Sequence, residues 1–235
     1  MTRPAPVRPH LRAVVTDVDG TLTDRNRCLD LPAVQALRTL ALRGMPVILA
    51  TGNVLPIALA LARFVGLPGP IIAENGGLIY YGEERIERLS RRRVAWAAYR
   101  QARRTLPITP LFTDRWRETE VALEPTVSVA ALRRAVRGLG VRVEATGFAV
   151  HLFEPSAGKR VAVNRALASL SLSLDDCLVA GDGDNDVAML RKAAVGVSFP
   201  DASARARAAA TYLAPATGGT GLVKALKHYG LLPFP

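Results

Sequence analysis

Short apolar runs that are rich in β-branched residues recur along this chain, and a polar loop follows each of them at once. Four such runs lie at residues 11–16, 46–50, 71–73 and 177–180. Runs of this length and composition are typical of buried strands. Between them, apolar residues recur at helical spacing, as at 32–44, which Pro32 opens and Gly44 closes. Strands that alternate with helices predict βαβ units, and therefore an α/β fold with a doubly wound, Rossmann-like parallel sheet.

The composition changes near Gly82, and this change divides the chain. Residues 83–104 are dense in Arg and Glu, and in the following stretch short alternating segments surround an amphipathic one at 129–136. The βα rhythm resumes after Lys159. We therefore predict a core made of residues 1–81 and 155–235, with an inserted α+β domain at 82–154. A chain of 235 residues is long enough for this organisation.

The unusual polar clusters of the sequence follow predicted strands. Residues 17–21 (DVDGT) come directly after the first strand, 51–53 (TGN) after the second, and the acidic run 181–186 (GDGDND) after the strand at 177–180. In an open α/β sheet, ligands bind at the carboxyl ends of the strands, where helix N-termini offer free backbone N–H groups. These clusters are therefore expected to form one site.

Carboxylates dominate this predicted site. Asp17 and Asp19 can both point into one pocket if the chain bends after the strand, and Gly20 permits such a bend. The alternative is a turn with solvated aspartates. Asp182 and Asp186 belong to an oxygen-rich cluster that suits a hard cation such as Mg²⁺.

The acidic run has two other interpretations. A calcium loop needs glycine at its sixth position and glutamate at its twelfth, where this chain has Val187 and Ala193. An Asp-rich helix N-cap explains one acidic residue but not three. Thr51 and the glycine after it offer the elements of a phosphate cradle, although an ordinary N-cap turn has the same residues. Lys159 begins a helix where the chain returns to the core, and its alternative is a solvated surface lysine.

Together, two acidic pairs, a threonine cradle and a lysine predict a Mg²⁺-dependent site for phosphoryl transfer. The metal ion and Lys159 would neutralise charge on the transferring group. A carboxylate would take the phosphoryl group as an aspartyl phosphate.

These residues resemble the four motifs of the haloacid dehalogenase-like phosphatases, in the order of that family: 17–21, Thr51, Lys159 and 181–186. Other stretches resemble the archaeal type of phosphoglycolate phosphatase: LTDRNR (22–27), TGNVLPIALAL (51–61), ENGG (74–77), TDRWRE (113–118) and VHLFE (150–154). The resemblance implies the fold of that family with an inserted cap domain of the C2 type at 82–154. It also implies hydrolysis of 2-phosphoglycolate to glycolate and phosphate.

The resemblance further implies a role for each motif residue. Asp17 would be the nucleophile and a Mg²⁺ ligand. Asp19 would be the acid/base, and its backbone carbonyl would join the metal shell. Thr51, with Gly52 beside it, would bind a phosphoryl oxygen, and Lys159 would pair with the phosphate and with Asp17.

The remaining implied site residues lie in the fourth motif and in the cap. Asp182 and Asp186 would hold Mg²⁺ directly or through water, and Asn185 would orient the cluster and contact the substrate. In the cap, Arg115 and Arg117 are candidates for gripping a substrate carboxylate, because arginine suits bidentate carboxylate recognition. A solvated cap surface is the alternative for either arginine.

Two other functions stay open on the sequence. The first is a related capped phosphatase that acts on a sugar phosphate or glycerate phosphate. The second is a nucleic-acid-binding protein, because the net charge is +11 and arginines cluster at 91–93, 103–104 and 133–134. Aromatic residues make up only 6% of the chain and do not alternate with these clusters, as a stacking surface requires.

The expected partner is a small phosphorylated metabolite, with no nucleic acid and no membrane, and a homodimer is the expected assembly. Cys28 and Cys177 have no spacing typical of a zinc site or a disulfide framework, which favours a reducing cytoplasm. Residues 1–12 are basic and rich in proline and lack the apolar region of a signal peptide.

Overall fold

The computed structural model of the protein describes residues 10–24 and 26–233, so most of the basic segment at 1–12 lies outside the described residues. The strands are β1 (Ala13–Thr16), β2 (Val47–Ala50), β3 (Ile71–Ala73), β4 (Leu78–Gly82), β5 (Arg85–Arg88), β6 (Val121–Leu123), β7 (Arg142–Ala145), β8 (Val150–Phe153), β9 (Cys177–Ala180), β10 (Val195–Ser198) and β11 (Tyr212–Leu213). The α-helices are α1 (Leu31–Leu42), α2 (Leu55–Val65), α3 (Arg92–Ala102), α4 (Val129–Ala135), α5 (Lys159–Ala168), α6 (Val187–Leu190), α7 (Ala204–Ala209) and α8 (Gly218–His228). No helix among these residues has the length and apolar character that crossing a bilayer requires.

One large sheet contains eight strands in the order β11-β10-β9-β1-β2-β3-β4-β5. Neighbouring strands from β11 to β3 are parallel. The chain winds from β1 to β2 and β3 on one side, and later from β9 to β10 and β11 on the other. This is the doubly wound α/β topology, so the predicted fold class is confirmed.

The central strands are short and apolar because helices cover the sheet. Every residue of β1 (AVVT), β2 (VILA) and β9 (CLVA) is buried. Parallel strands that are buried on both faces do not show alternation of polar and apolar residues. The same burial keeps charged side chains out of these strands, so they follow only beyond the strand ends, where the loops begin.

The inserted segment forms a second, smaller sheet in the order β6-β8-β7, which is antiparallel. Helix α3 packs against β6 and β8, and α4 packs against β7. These elements enclose a separate apolar core that includes Tyr99, Leu123, Leu132 and Leu152. The elements from α3 to β8 therefore form an α+β unit that contributes no strand to the large sheet.

The large sheet continues past the predicted start of the insertion at residue 82. β4 and β5 pair antiparallel to each other and extend the sheet beyond β3. β5 has the sequence RIER, and its charged side chains are tolerated because it is an edge strand. In the structure the smaller unit therefore begins after Arg88.

Candidate active site

Three of the polar clusters that follow strands lie side by side. Asp17 directly follows β1 and Thr51 directly follows β2, whereas one residue separates Asp182 from the end of β9. Because β9, β1 and β2 are adjacent in the sheet, their loops meet at one edge. These loops therefore form one rim at the carboxyl ends of the strands, where the sequence predicts a single site.

Lys159 connects two of the aspartates beneath this rim. It is the first residue of α5 and its side chain is fully buried. Its Nζ donates to Asp17 Oδ1 at 2.7 Å and to Asp186 Oδ1 at 2.7 Å. The second oxygen of Asp186 accepts from the backbone N–H groups of Asp182 at 3.1 Å and Gly183 at 2.9 Å. The lysine and the fourth-motif loop therefore hold both carboxylates in fixed positions.

The carboxylates carry more negative charge than one lysine balances. Burial raises the pKa of Asp17 well above its ordinary value, and Asp186 and Asp182 raise it further against the opposing effect of Lys159. Burial and the charge of Asp186 raise the pKa of Asp182 to about 6. Burial alone would lower the pKa of Lys159, but Asp17 and Asp186 keep it above its usual value. A further cation would stabilise the ionised form of such a cluster.

These aspartates have the arrangement of a metal site. One carboxylate oxygen from each of Asp17, Asp182 and Asp186 lies within 4.8 Å of the others. Gly20 permits the close approach of the first loop, because its φ is +77° and a Cβ there would overlap the Asp182 carboxylate. The donors are all hard oxygens, and the cluster could hold a metal ion.

Asp19 has both of its carboxylate oxygens occupied by hydrogen bonds. Asn53 Nδ2 donates to Oδ2 at 2.6 Å, and Arg27 Nε donates to Oδ1 at 3.2 Å. Asn53 is itself placed by the second-motif loop, since its backbone N–H donates to Thr51 Oγ1 at 3.0 Å. Thr51 thus fixes the residue that orients Asp19.

A cavity of about 250 Å³ lies above this rim. Its core side includes Asp17, Asp19, Gly52, Asp182 and Asn185, and the inserted unit contributes residues 146–148. Lys159 and Thr51 are buried and are not among the lining residues. The predicted residues therefore divide into a group that faces the cavity and a group that supports it.

The two predicted cap arginines lie away from this cavity. Arg115 is exposed, and its guanidinium lies 4.3 Å from the ring centroid of Phe112. Arg117 is fully buried, forms an ion pair with Glu120 and donates to the Gly52 carbonyl at 3.0 Å. Arg117 is buried and does not line the cavity, so its guanidinium does not reach a ligand there. This placement gives the predicted carboxylate contact no support, and it makes Arg117 a link between the inserted unit and the second-motif loop.

A buried polar network that the sequence analysis did not identify joins the two sides of the cavity. Asn185 Nδ2 donates to Asn75 Oδ1 at 3.0 Å, and Asn75 Nδ2 donates to Glu120 Oε2 at 3.1 Å. Glu120 Oε1 lies 3.0 Å from His151 Nδ1, and His151 Nε2 lies 3.1 Å from Thr146 Oγ1. Burial would raise the pKa of Glu120, but His151 and Arg117 hold it below its ordinary value. The stretches ENGG and VHLFE contained Asn75 and His151, but neither stretch indicated that they meet.

Comparison with known proteins places this site in a family. The sequence model of the haloacid dehalogenase-like hydrolases matches residues 14–96 and 128–226, which is more than half of the chain. The chain belongs to this family. The gap between the two matched segments lies within the inserted unit. The match includes the strands and loops that carry the aspartate cluster.

Curated relatives make this haloacid dehalogenase-like hydrolase a phosphatase. A protein of Methanothermobacter thermautotrophicus named phosphoglycolate phosphatase is 34% identical over 93% of this chain and 99% of its own length. An Archaeoglobus fulgidus protein of the same name is 34% identical over 94% of this chain and 98% of its own length. A crystal structure of a Thermoplasma acidophilum protein superposes with a TM-score of 0.88 at 27% identity, covering 94% of this chain and 99% of that one.

Proposed function

We propose that this phosphatase hydrolyses 2-phosphoglycolate to glycolate and phosphate, with Mg²⁺ as its metal ion and an aspartyl phosphate at Asp17. The observation that carries the proposal is the Asp17 carboxylate, which lines a small cavity while Lys159 binds it from behind. The names of the curated relatives support the choice of substrate.

The three clustered aspartates fit a magnesium ion. Asp17, Asp182 and Asp186 would hold it, together with the backbone carbonyl of Asp19. Mg²⁺ takes carboxylates, water and substrate phosphate oxygens, and the donor set here consists of oxygens alone. When bound, the ion neutralises negative charge on the phosphoryl group and the aspartates.

The chain's own residues supply the remaining chemistry. A carboxylate oxygen of Asp17 attacks phosphorus, so an Asp17 O–P bond forms while the ester P–O bond breaks. Asp19 gives its proton to the departing glycolate oxygen. Asn53 orients Asp19 for this transfer through the 2.6 Å hydrogen bond. Gly52 and Asn185, which line the cavity, would contact phosphoryl oxygens at this stage, and Thr51 would support them by holding Asn53 in place.

The second half of the reaction releases phosphate. A water molecule attacks phosphorus and loses its proton to Asp19, and the bond between phosphorus and Asp17 breaks. Lys159 stays paired with Asp17 throughout, which favours the ionised form of the nucleophile and holds it in place. Both half-reactions thus use the same two aspartates.

The two alternatives from the sequence concern the substrate and the partner. A sugar phosphate or glycerate phosphate would use the same core residues and differ only in contacts with the inserted unit. The small volume of the cavity favours a small ester over nucleic acid. We also propose a cytoplasmic homodimer without membrane partners, and light scattering after size exclusion tests the assembly.

A phosphate-release screen tests the proposal. The protein is assayed with and without Mg²⁺ on 2-phosphoglycolate, glycerate phosphates, sugar phosphates and other small phosphomonoesters. We expect Mg²⁺-dependent release, with the highest kcat/KM for 2-phosphoglycolate. Asp17→Asn should abolish release and stay folded, whereas Asp175→Asn, at an exposed aspartate away from the cavity, should not change it. Persistent turnover by the Asp17 variant would disprove the nucleophile, and a higher kcat/KM for another ester would disprove the substrate.

A further inference from the structure

Among the described residues that line the cavity, one side chain is cationic. Arg27 lies there beside four aspartates, at positions 17, 19, 24 and 182. A substrate with a carboxylate in addition to its phosphoryl group brings a second negative charge into this acidic surface. That charge needs a cation apart from the phosphoryl site, because Lys159 is buried against Asp17 and Asp186.

Hydrogen bonds of Asp24 help to position Arg27 at the cavity. Oδ1 of Asp24 accepts from the backbone N–H groups of Asn26 and Cys28, each at 2.8 Å. The Arg27 backbone N–H donates to the Asp24 carbonyl at 3.0 Å, and Arg27 adopts a left-handed conformation with φ of 63°. A non-glycine residue in this conformation is uncommon and needs surrounding contacts to hold it there. The loop therefore fixes where the Arg27 side chain starts.

The guanidinium lies between the core and the inserted unit. Its Nε donates to Asp19 Oδ1 at 3.2 Å, and its Cζ lies 4.9 Å from the ring centroid of Phe148. Phe148 in turn contacts the buried His151 edge to face, with ring centroids 5.8 Å apart. The side chain of Arg27 remains 57% exposed. The hydrogen bond of the side chain uses Nε, and within the described residues neither terminal nitrogen donates to an acceptor.

We propose that Arg27, and neither Arg115 nor Arg117, binds the carboxylate of the substrate and selects for it. This inference rests on the proposed function. In 2-phosphoglycolate a single methylene group separates the ester oxygen from the carboxylate. The ester oxygen must meet Asp19 to receive its proton, so the carboxylate comes to lie beside the residue that contacts Asp19. Two parallel N–H groups of a guanidinium match the two oxygens of a carboxylate.

Phe148 gives the guanidinium its second support. A cation above an aromatic face is attracted by the ring, and this attraction strengthens where water is excluded. The ring contacts one side of the guanidinium, and the 57% exposure of the Arg27 side chain leaves it accessible to a ligand. Phe148 is thus a positioning residue for Arg27, and its contribution acts through the arginine.

The test compares two phosphate esters. One carries a carboxylate, and the other carries an uncharged hydroxymethyl group in its place. The enzyme, Arg27→Gln and Arg27→Lys are assayed in Mg²⁺ on 2-phosphoglycolate and on 2-hydroxyethyl phosphate. Arg27→Gln should lower kcat/KM for 2-phosphoglycolate about 10- to 150-fold, the loss expected for one charge-assisted hydrogen-bonded pair. It should lower kcat/KM for 2-hydroxyethyl phosphate by a smaller factor, about 5-fold at most, since this ester loses only the effect of the exposed contact between Arg27 and Asp19. Arg27→Lys should recover part of the loss, because it restores the charge without the fork.

Matched arginines serve as controls. Arg85 is exposed on β5 and its guanidinium lies 4.1 Å from the Tyr81 ring centroid, so Arg85→Gln removes a similar arginine outside the cavity. It should leave both rates unchanged. An equal loss for both esters in Arg27→Gln would overturn the inference and make Arg27 a partner of Asp19 only. A selective loss in Arg115→Gln instead of Arg27→Gln would also overturn it. If the unmodified enzyme does not favour 2-phosphoglycolate, the proposed substrate fails first and the inference falls with it.

Discussion

Replacing Glu120 by Gln should destabilise the protein by removing the charge at the centre of its buried network. The side chains of Glu120, Arg117 and His151 are all fully buried. In addition, Nε and Nη2 of Arg117 are buried without a hydrogen-bond partner among the described residues. The glutamine would remove the carboxylate that pairs directly with the buried guanidinium. Removing one partner of a buried ion pair costs about 3–5 kcal/mol.

For a chain of this size, such a loss lowers Tm by about 6–20 °C. The assay is thermal unfolding followed by circular dichroism, with chemical denaturation to obtain the free energy of unfolding. Glu118→Gln is the control, since Glu118 pairs with Arg88 and both side chains are at least 40% exposed. An exposed pair contributes about 0–1 kcal/mol, so this variant should be nearly neutral. Combining Glu120→Gln with Arg117→Met should recover part of the lost stability.

The loss of stability in Glu120→Gln should depend on pH. The pKa of Glu120 lies below its ordinary value of 4.5 in the folded protein. A group with a depressed pKa contributes stability above its unfolded pKa, and the contribution is lost as the pH falls through the folded pKa. The difference in stability between Glu120→Gln and the unmodified protein should therefore shrink below about pH 4.5. A Tm change under 2 °C at neutral pH, or a double variant no more stable than the single one, would refute this reasoning.

Three further predictions concern the core. Ellman's reagent should modify the exposed Cys28 in the folded protein and Cys177 only after unfolding, because Cys177 is buried and its pKa is raised to about 12; equal reaction rates would contradict this. Gly20→Ala and Gly44→Ala should each lose about 1–3 kcal/mol of stability because φ is positive at both, but only Gly20→Ala should also weaken Mg²⁺ binding, since a Cβ at Gly44 meets nothing within 4 Å. Calorimetry should show Mg²⁺ affinity falling and proton release rising as the pH drops from 7 toward the pKa of Asp182 near 6, and pH-independent affinity would argue against Asp182 as a ligand.

The sequence was most informative about the strands and their ends. β9 spans Cys177–Ala180, as expected, because a buried parallel strand is a short apolar run with sharp polar borders. Since parallel strands end at one edge, the positions of Asp17 and Asp182 after their strands were enough to predict that they meet. Their separation in the sequence did not matter, because adjacent strands set their spacing.

Other features depend on contacts that no local pattern shows. The sequence RIER of β5 was assigned to the insertion because it is charged, but an edge strand exposes such side chains without cost. Arg117 was a candidate for gripping a substrate carboxylate, because arginine suits bidentate carboxylate recognition. Its burial depends on Glu120 and on the Gly52 carbonyl, which comes from a different unit. The contact of Arg27 with Phe148 of the inserted unit is likewise a tertiary feature.

Chemical trapping of the intermediate tests the central claim most directly. The enzyme is quenched in acid during turnover of 2-phosphoglycolate with Mg²⁺ and treated with borohydride, which reduces an aspartyl phosphate to homoserine. Peptide mass spectrometry then locates the changed residue. We expect homoserine at position 17 in the active enzyme, and none in Asp17→Asn or when Mg²⁺ is omitted. Turnover with an unmodified Asp17, or with the label at another aspartate, would contradict the proposed mechanism.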